Sequence, residues 1–520
     1  MMNSISYMPP AETVRATIDY YASKQPELVF SQFPETGVKV TYAGLQQSAQ
    51  SYSRYFKALG LCKGDTVSFM MGNGKAALEL FLGTLYSGCI SSPLNPAAGK
   101  DQIEYVLDHS DTKIVFVSEQ YKEQVANAAE KLDRKVWIIS TDADTGPEWP
   151  LDPADEEDIL TINGSDDGLL MYTSGTTGRP KGVILTNKNL LAGGINTACA
   201  HELSAADRTL CVLPLCHINA QCVTVMAPLA SGGSVVMPRS FSASSFWGWV
   251  LENKVTWFSV VPTIISYLMH HDGEHSGPSL KEALANVRFG RSASAALPPT
   301  LHAGFEEKFG VPIVETMGLT ETSAQILSNP LPPKPNKYGS PGIAFGTEIK
   351  VINKQGNTQP TGREGELMVR GDCVMRCYYK NPEATAEALE EDGWLHTGDL
   401  ARQDEDGFIF ITGRLKELII KGGENIAPRE IDDALYSHPS VIEAGAVGID
   451  DDHYGQEVVA CVVINEEMAV SEQELIDFCC DKLGKVKTPK NIYFFDDLPK
   501  GPSGKVQRLK LVDQLKALNV

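Results

Sequence analysis

A chain of 520 residues exceeds one ordinary hydrophobic core, and its length corresponds to about three domains or subdomains. Its 66 acidic against 45 basic residues leave a net charge of −21, which excludes general affinity for nucleic acid or anionic membranes, because both require a basic face. The eleven cysteines include no C-x-x-C pair and read as buried free thiols of a reducing compartment.

The first segments alternate between helical and strand patterns. Glu12 to Lys24 has helical spacing, Lys39 to Tyr42 reads as a short strand, and Leu45 to Leu59 as an amphipathic helix ended by Gly60. Strands at 66–70, 89–92 and 113–117 then alternate with helices at 75–86 and 101–107, a pattern that implies a parallel sheet covered on both faces. Residues 141–158, rich in Asp, Glu, Pro and Gly, are expected to form an exposed connector. A second β/α alternation runs from Thr209 to about Ile313. From Gly346 the texture changes to short strands at 348–353, 365–370 and 407–412, which predicts an antiparallel, barrel-like unit. The last hundred residues mix helices (430–438, 471–483) and strands (458–464, 491–495), as a small α+β domain does. The fold class is therefore α/β, with a large N-terminal domain over 1–413 and a small C-terminal domain over 414–520, joined near Gly413-Arg414-Leu415-Lys416, where charge interrupts two apolar strands as at a hinge. Met1 to Phe30 lacks the apolar run of a signal peptide, no window reaches the 18 or so apolar residues of a membrane span, and the C-terminal Ala-Leu-Asn-Val is no lipidation signal, so a cytoplasmic protein without membrane insertion is expected.

The densest chemistry lies in Met171 to Gly182, where Thr173-Ser174-Gly175-Thr176-Thr177-Gly178-Arg179-Pro180-Lys181 follows an apolar run. Glycines let backbone N–H groups approach an anion, hydroxyls add donors, and Lys181 adds a point charge, so the stretch reads as a phosphate-binding loop. No Gly-Lys-Ser/Thr triplet closes it, which excludes a Walker A loop. Thr316-Met317-Gly318-Leu319-Thr320-Glu321-Thr322 offers a carboxylate among hydroxyls; Glu321 suits magnesium, which takes one carboxylate plus substrate phosphates, or else caps a helix start. Gly393-Trp394-Leu395-His396-Thr397-Gly398-Asp399 places an acid after a glycine turn, fit to accept from ribose hydroxyls or to stabilise the turn. Lys500-Gly501-Pro502-Ser503-Gly504-Lys505 presents a lysine on a flexible loop.

In order and spacing these motifs, together with Gly413-Arg414-Leu415-Lys416-Glu417-Leu418-Ile419, resemble the adenylate-forming (AMP-binding) superfamily, in its acyl-CoA synthetase branch, over nearly the whole chain. The resemblance implies ATP, Mg2+ and coenzyme A as co-substrates and cofactor, and a carboxylic acid as substrate. The acid attacks the α-phosphate of ATP, and a thiol then takes the acyl group from the adenylate. By this resemblance Thr173, Ser174, Gly175, Thr176, Thr177, Gly178 and Lys181 hold the β- and γ-phosphates. Thr320 contacts the α-phosphate, Glu321 carries the metal, and Ser294, Ala295 and Ala296, with Glu315, Thr316 and Met317, surround adenine. Asp399 and Arg414 fix the ribose. Lys505 reaches the carboxylate and the α-phosphate, Lys416 is the hinge of a mobile C-terminal domain, Gly422 and Gly423 face the cleft in the second step, and His217 borders the acyl site. Met317 and Thr316 depart from the family's aromatic residue and glycine, which alters the shape of the acyl pocket.

That pocket corresponds to His217 to Gln221, Arg291 to Ser294 and Ser323 to Gln325. Asn219, Gln221 and Gln325 are polar for a fatty-acid tunnel, since an unpartnered buried amide costs roughly 1–3 kcal/mol; alternatively they turn away and satisfy the backbone. The runs at 217–219 and 241–247 look most like carnitine/crotonobetaine-type and oxalate-type CoA ligases. Ala324 replaces a carboxylate-binding histidine of the oxalate branch, which disfavours oxalate itself. The expectation is a ligase for a small or medium polar acid, with a carrier-protein acceptor or a medium- or long-chain fatty acid as alternatives. A luciferase-type oxygenase and a non-catalytic nucleotide-binding protein fit less well. A homodimer is compatible with the sequence and not required by it.

Overall fold

The computed structural model describes residues 11–155, 160–173, 179–270, 278–451, 453–465, 468–500 and 506–518. Ser174 to Gly178 and Lys505, expected to bind phosphate and the reacting carboxylate, lie outside the described residues.

Two large sheets form the body. The nine-stranded sheet has a parallel centre, running through Val29–Phe33, Ser234–Val236, Arg208–Cys211, Trp257–Val260, Phe289–Ser292 and Ile313–Leu319. The eight-stranded sheet likewise has parallel strands at Ile90–Pro93, Thr66–Met70, Ile114–Val117 and Trp137–Asp142. Both are mixed rather than wholly parallel as expected. Antiparallel strands finish their edges: Val38–Thr41, Ala324–Ser328 and Ile343–Ala344 in the first, Lys181–Thr186 and Cys377–Tyr378 in the second.

The hairpin of Asp167–Thr173 with Lys181–Thr186 was not expected. Gly182 to Leu185 is a continuous apolar run, and Gly182, Val183, Ile184 and Leu185 are buried. Short runs buried on both faces carry no periodicity, so the second strand does not declare itself in the sequence between the loop and the following helix, Asn187–Ala200. That helix begins on a capping box, in which Thr186 and Asn189 exchange hydrogen bonds with each other's backbone. At Gly193 the helix packs so closely that a Cβ would stand 2.2 Å from the carbonyl oxygen of Ser323.

Trp137–Asp142 and Gly146–Pro147 pair antiparallel, and Trp149 lies stacked on Tyr55 with ring centroids 4.0 Å apart. The stretch from 141 is thus tied to the body, by Trp149, by the Ala143 carbonyl that accepts from the Ala76 N–H and by the Asp144–Arg239 ion pair, while Asp142, Thr145, Glu148 and 150–152 are exposed as expected of a connector. An antiparallel sheet follows in the order Glu348–Ile352, Gly365–Arg370, Leu395–Gln403, Ile409–Arg414, as expected after Gly346.

Beyond Lys416 comes a five-stranded sheet with helices Pro428–Tyr436, Glu472–Leu483 and Arg508–Ala517. Its cores, built on Ile431, Leu435, Val458, Ala460 and Leu475 on one side and Val459, Cys461, Leu511 and Leu515 on the other, are distinct from the large core of the body. No helix among the described residues is long and apolar enough to cross a membrane.

Trp149→Ala should lower unfolding stability by about 1–2 kcal/mol, the scale of a half-buried aromatic stack. Urea unfolding followed by circular dichroism measures it; an unchanged midpoint would return 141–155 to the status of a loose connector.

Candidate active site

The parallel strands of the nine-stranded sheet end on one edge, where open α/β sheets place ligands. Phe289–Ser292 runs into Ser294 to Ala296, and Ile313–Leu319 runs into a single 3-10 turn, Thr320–Thr322. Arg208–Cys211 leads to His217 and to a π-helical stretch, Asn219–Met226. Such wide turns are rare and concentrate at functional sites. Two cavities open along this edge, one of 620 Å³ and one of 690 Å³. Ser294, Gly318, Leu319, Arg414 and Glu417 border both.

The first cavity collects Ser294, Ala295, Ala296, Glu315, Thr316, Met317, Asp399 and Arg414. The second collects Thr173, Lys181, His217, Ser294, Thr320, Glu321, Arg414 and Lys416. Residues up to 243 positions apart in the sequence (173 to 416) are thereby brought to one cleft. Gly422 and Gly423 border neither; they form an exposed turn between Ile419–Lys421 and Glu424–Ile426, at φ +58° and +86°.

Each anchor has a visible cause. Gly318 has no room for a side chain, because a Cβ would stand 1.6 Å from the Ala324 carbonyl oxygen. This close approach bends the chain so that Thr320 and Glu321 leave the sheet, and the backbone N–H of Met375 holds the bend by donating to the Glu321 carbonyl at 2.7 Å. The hydroxyl of Tyr378 donates to Glu321 Oε1 at 2.9 Å, and Lys181 Nζ stands 4.7 Å from the centre of the same Tyr378 ring. Lys181, Tyr378 and Glu321 therefore form a stack of cation, ring and carboxylate at one end of the cleft. Tyr378 was not foreseen: the Tyr378-Tyr379-Lys380 run looks like surface, and only the pairing of Cys377–Tyr378 with Lys181–Thr186 brings it inward.

At the other end Arg414 Nε donates to Asp399 Oδ1 at 2.8 Å, across directly paired positions of adjacent strands. Asp399 is 3% exposed. Burial opposes the Arg414 charge, but Asp399, Glu417 and Glu321 outweigh it and raise the guanidinium's pKa. The rest of the Trp-Leu-His-Thr-Gly-Asp motif serves this placement. Thr397 Oγ1 donates to the Leu367 carbonyl and receives the Asp399 N–H, Glu366 accepts from the Gly398 N–H, and His396 sits between Glu366 and Glu390. Glu315 is buried, accepts from the Leu297 N–H at 3.1 Å, and has its pKa raised by that burial. Thr316 donates to the Ser292 carbonyl.

The amides of the expected acyl pocket divide. Gln221 Nε2 donates to the Leu215 carbonyl at 2.7 Å, the backbone-satisfying alternative. Asn219 and Gln325 instead accept from Arg291. His217 and the fully buried His201 both have pKa values lowered, first by burial, and are neutral at pH 7.

Among the described residues no three His, Cys, Asp or Glu side chains form a closed metal cage. Glu321, half-buried next to Thr320 on the wall of the second cavity, offers a single carboxylate, the kind of protein ligand that an open magnesium site uses.

Comparison with known proteins agrees with this geometry. The model of AMP-binding enzymes matches residues 18–379, and that of the AMP-binding enzyme C-terminal domain matches 430–505. The chain belongs to the AMP-binding enzyme family. It is similar to a sulfoacetate–CoA ligase of Cupriavidus necator, 46% identical over 96% of this chain and 98% of that protein. An oxalate–CoA ligase of Arabidopsis thaliana is 36% identical over 88% and 89%. Among solved structures, ATP-bound MatB from Rhodopseudomonas palustris superposes with a TM-score of 0.88, at 27% identity, over 98% of this chain and 100% of that one.

Two outcomes follow from this geometry. Gly318→Ala should displace the Thr320–Glu321 turn and lower nucleotide affinity at least about tenfold, read by calorimetry with ATP, because a hard overlap with backbone must be relieved by moving the strand. His201 takes up its proton in the unfolded chain near pH 6.5 but not in the folded one, so the folded state loses stability as pH falls below about 6.5. His201→Asn should flatten the decline in thermal midpoint between pH 7 and pH 5; an unchanged slope would mean the imidazole is not kept neutral.

Proposed function

We propose that this protein is an AMP-forming acid–thiol ligase, which activates a small or medium polar carboxylic acid as its adenylate and passes the acyl group to coenzyme A. The observation that carries the reading is the convergence of Lys181, Thr320 and Glu321 with Ser294, Asp399 and Arg414 on two adjoining cavities. Family membership and similarity to CoA ligases over almost the whole chain support it.

In this reading Ser294 to Ala296 and Glu315 to Met317 flank adenine, with the Met317 thioether covering the ring in place of an aromatic side chain. Asp399 accepts from the ribose hydroxyls, with its second strand partner Arg414 fixing its orientation. Lys181, on its Tyr378 ring, faces the β- and γ-phosphates. Glu321 would hold Mg2+, which neutralises phosphate charge when bound. Thr320 donates to the α-phosphate. The substrate carboxylate, ionised at neutral pH, attacks the α-phosphorus without a general base; the bond to the bridging oxygen breaks and pyrophosphate leaves. Lys505, between two approaching anions, lowers their repulsion most in a cleft that excludes water.

In the second half-reaction the thiol sulfur attacks the acyl carbon, the thiol proton passes to solvent, and AMP leaves. We divide the chain into 1–413 and 414–520, the smaller part turning about Lys416 to exchange Lys505 for Gly422 and Gly423. Three features support that division: separate cores, the exposure of Lys416, and the anchoring of Glu417 to the smaller part by Arg508, whose Nε stands 3.1 Å from Glu417 Oε2. Arg508 also pairs with Asp432, so the hinge turn and the helix Pro428–Tyr436 move as one body. A cytoplasmic location fits the eleven cysteines, all of them free.

Lys505→Ala should abolish acid-dependent pyrophosphate release while largely sparing thioester formation from supplied acyl-adenylate. Equal loss of both half-reactions would refute its assignment. Asp399→Asn should weaken ATP binding by about tenfold or more, the worth of charge-assisted hydrogen bonds. The ligase reading itself fails if no carboxylic acid supports CoA-dependent AMP formation.

A further inference from the structure

Behind the wall of the second cavity lies a buried cation without a counter-charge. Arg291, on the central strand Phe289–Ser292, is 1% exposed. Its Nη1 donates to Ser259 Oγ at 3.0 Å and to Asn219 Oδ1 at 3.3 Å, and its Nε donates to Gln325 Oε1 at 3.2 Å. His201 stands close enough for the guanidinium to oppose its protonation. All four neighbours are neutral, and no carboxylate among the described residues pairs with Arg291 within ion-pair distance. Burial pushes its pKa down to about 9, so it remains largely charged at pH 7.

Removing a guanidinium from water without an anion is expensive, and buried charges are normally paired. Here the charge is relayed to the cavity. Asn219 Oδ1 is taken by Arg291 and by the Ser259 hydroxyl at 3.0 Å, which turns its Nδ2 outward, 3.4 Å from Ser294 Oγ. Asn219, Ser294 and His217 all border the second cavity, together with Thr320. His217 Nε2 has no hydrogen-bond partner among the described residues, and Ser294 holds a left-handed backbone, φ +71°, unusual for a non-glycine residue and concentrated at functional sites. The wall therefore presents polar groups backed by positive charge. An apolar acyl tail would leave these groups unsatisfied; an oxyanion would pair with them and supply the missing counter-charge.

We propose that the acid activated here carries, besides the reacting carboxylate, a second anionic oxygen group, a sulfonate or a carboxylate, received by Asn219 and Ser294 with Arg291 as the buried counter-charge. This rests on the ligase reading and names its substrate class. Arg291 is a positioning residue: it acts through Asn219 and touches no reacting atom.

The test measures AMP formation with CoA for acids matched in length: propionate against malonate and sulfoacetate, and butyrate against succinate. The wild type should favour at least one doubly anionic acid over its singly charged counterpart by about 30-fold or more in kcat/KM, the scale of a charge-assisted contact. Malonate against sulfoacetate then separates carboxylate from sulfonate. Arg291→Met should collapse that ratio, mainly through KM. Should Arg291→Met fail to fold, Asn219→Asp keeps the guanidinium and gives it an internal carboxylate; the ratio should collapse there too. A wild type indifferent to the second charge, or a ratio that survives either folded variant, overturns the proposal. Turnover of singly charged acids alone overturns it while leaving the ligase reading intact; failure of every acid to support CoA-dependent AMP formation overturns that reading itself.

Discussion

The contact between Asp399 and Arg414 joins the two halves of the molecule's logic. It pairs directly opposed residues of two antiparallel strands at the mouth of the cleft, and the chain leaves Arg414 straight into the turn Leu415–Glu417. One strand end therefore fixes a buried carboxylate on the wall of the first cavity, and its continuation leads into the smaller body. Arg508 grips both Glu417 and Asp432, so the smaller body is anchored to a turn three residues from Arg414. The rotation proposed for the smaller body would begin at this turn, directly after the strand that ends on Arg414.

The remainder of the cleft is set by close packing. Gly318 against the Ala324 carbonyl and Gly193 against the Ser323 carbonyl bring the Thr320–Glu321 turn off the sheet from two sides. Ser323 and Ala324, at φ +49° and +79°, are non-glycine residues held in left-handed conformations in the same turn. Such strain persists only where surrounding structure over-determines it, and here the surroundings are the helix Asn187–Ala200 and the 373–378 segment, whose Cys373 carbonyl accepts from Ser323 Oγ. Tyr378 ties both sides together, its hydroxyl donating to Glu321 and its ring lying under the Lys181 ammonium. Specificity for the acid has a different origin. As proposed, it lies one layer deeper, in a buried arginine whose neighbours among the described residues are neutral and which reaches the cavity wall through Asn219.

Sequence alone determined the class of fold, the order of the chemical motifs and a set of residues that border the two cavities, though not Gly422 and Gly423, which border neither. Those features are local: glycine turns, hydroxyl clusters and strand ends declare themselves over a few positions. It misjudged what depends on distant partners. The 181–186 strand was hidden in an apolar run without periodicity, Trp149 in a polar connector, and Tyr378 in an apparent surface segment. The N-terminal strand Val29–Phe33 joins the sheet built mostly from residues beyond 208, because its partner, Ser234–Val236, is two hundred residues away. Polar residues at 219, 221 and 325 were visible as polar, but their division between backbone satisfaction and Arg291 depends on which way each amide turns, and only packing sets that. The sequence thus specified which groups the protein owns; the tertiary structure decided which of them face one another, because charge, burial and hydrogen-bond direction are properties of neighbours in space.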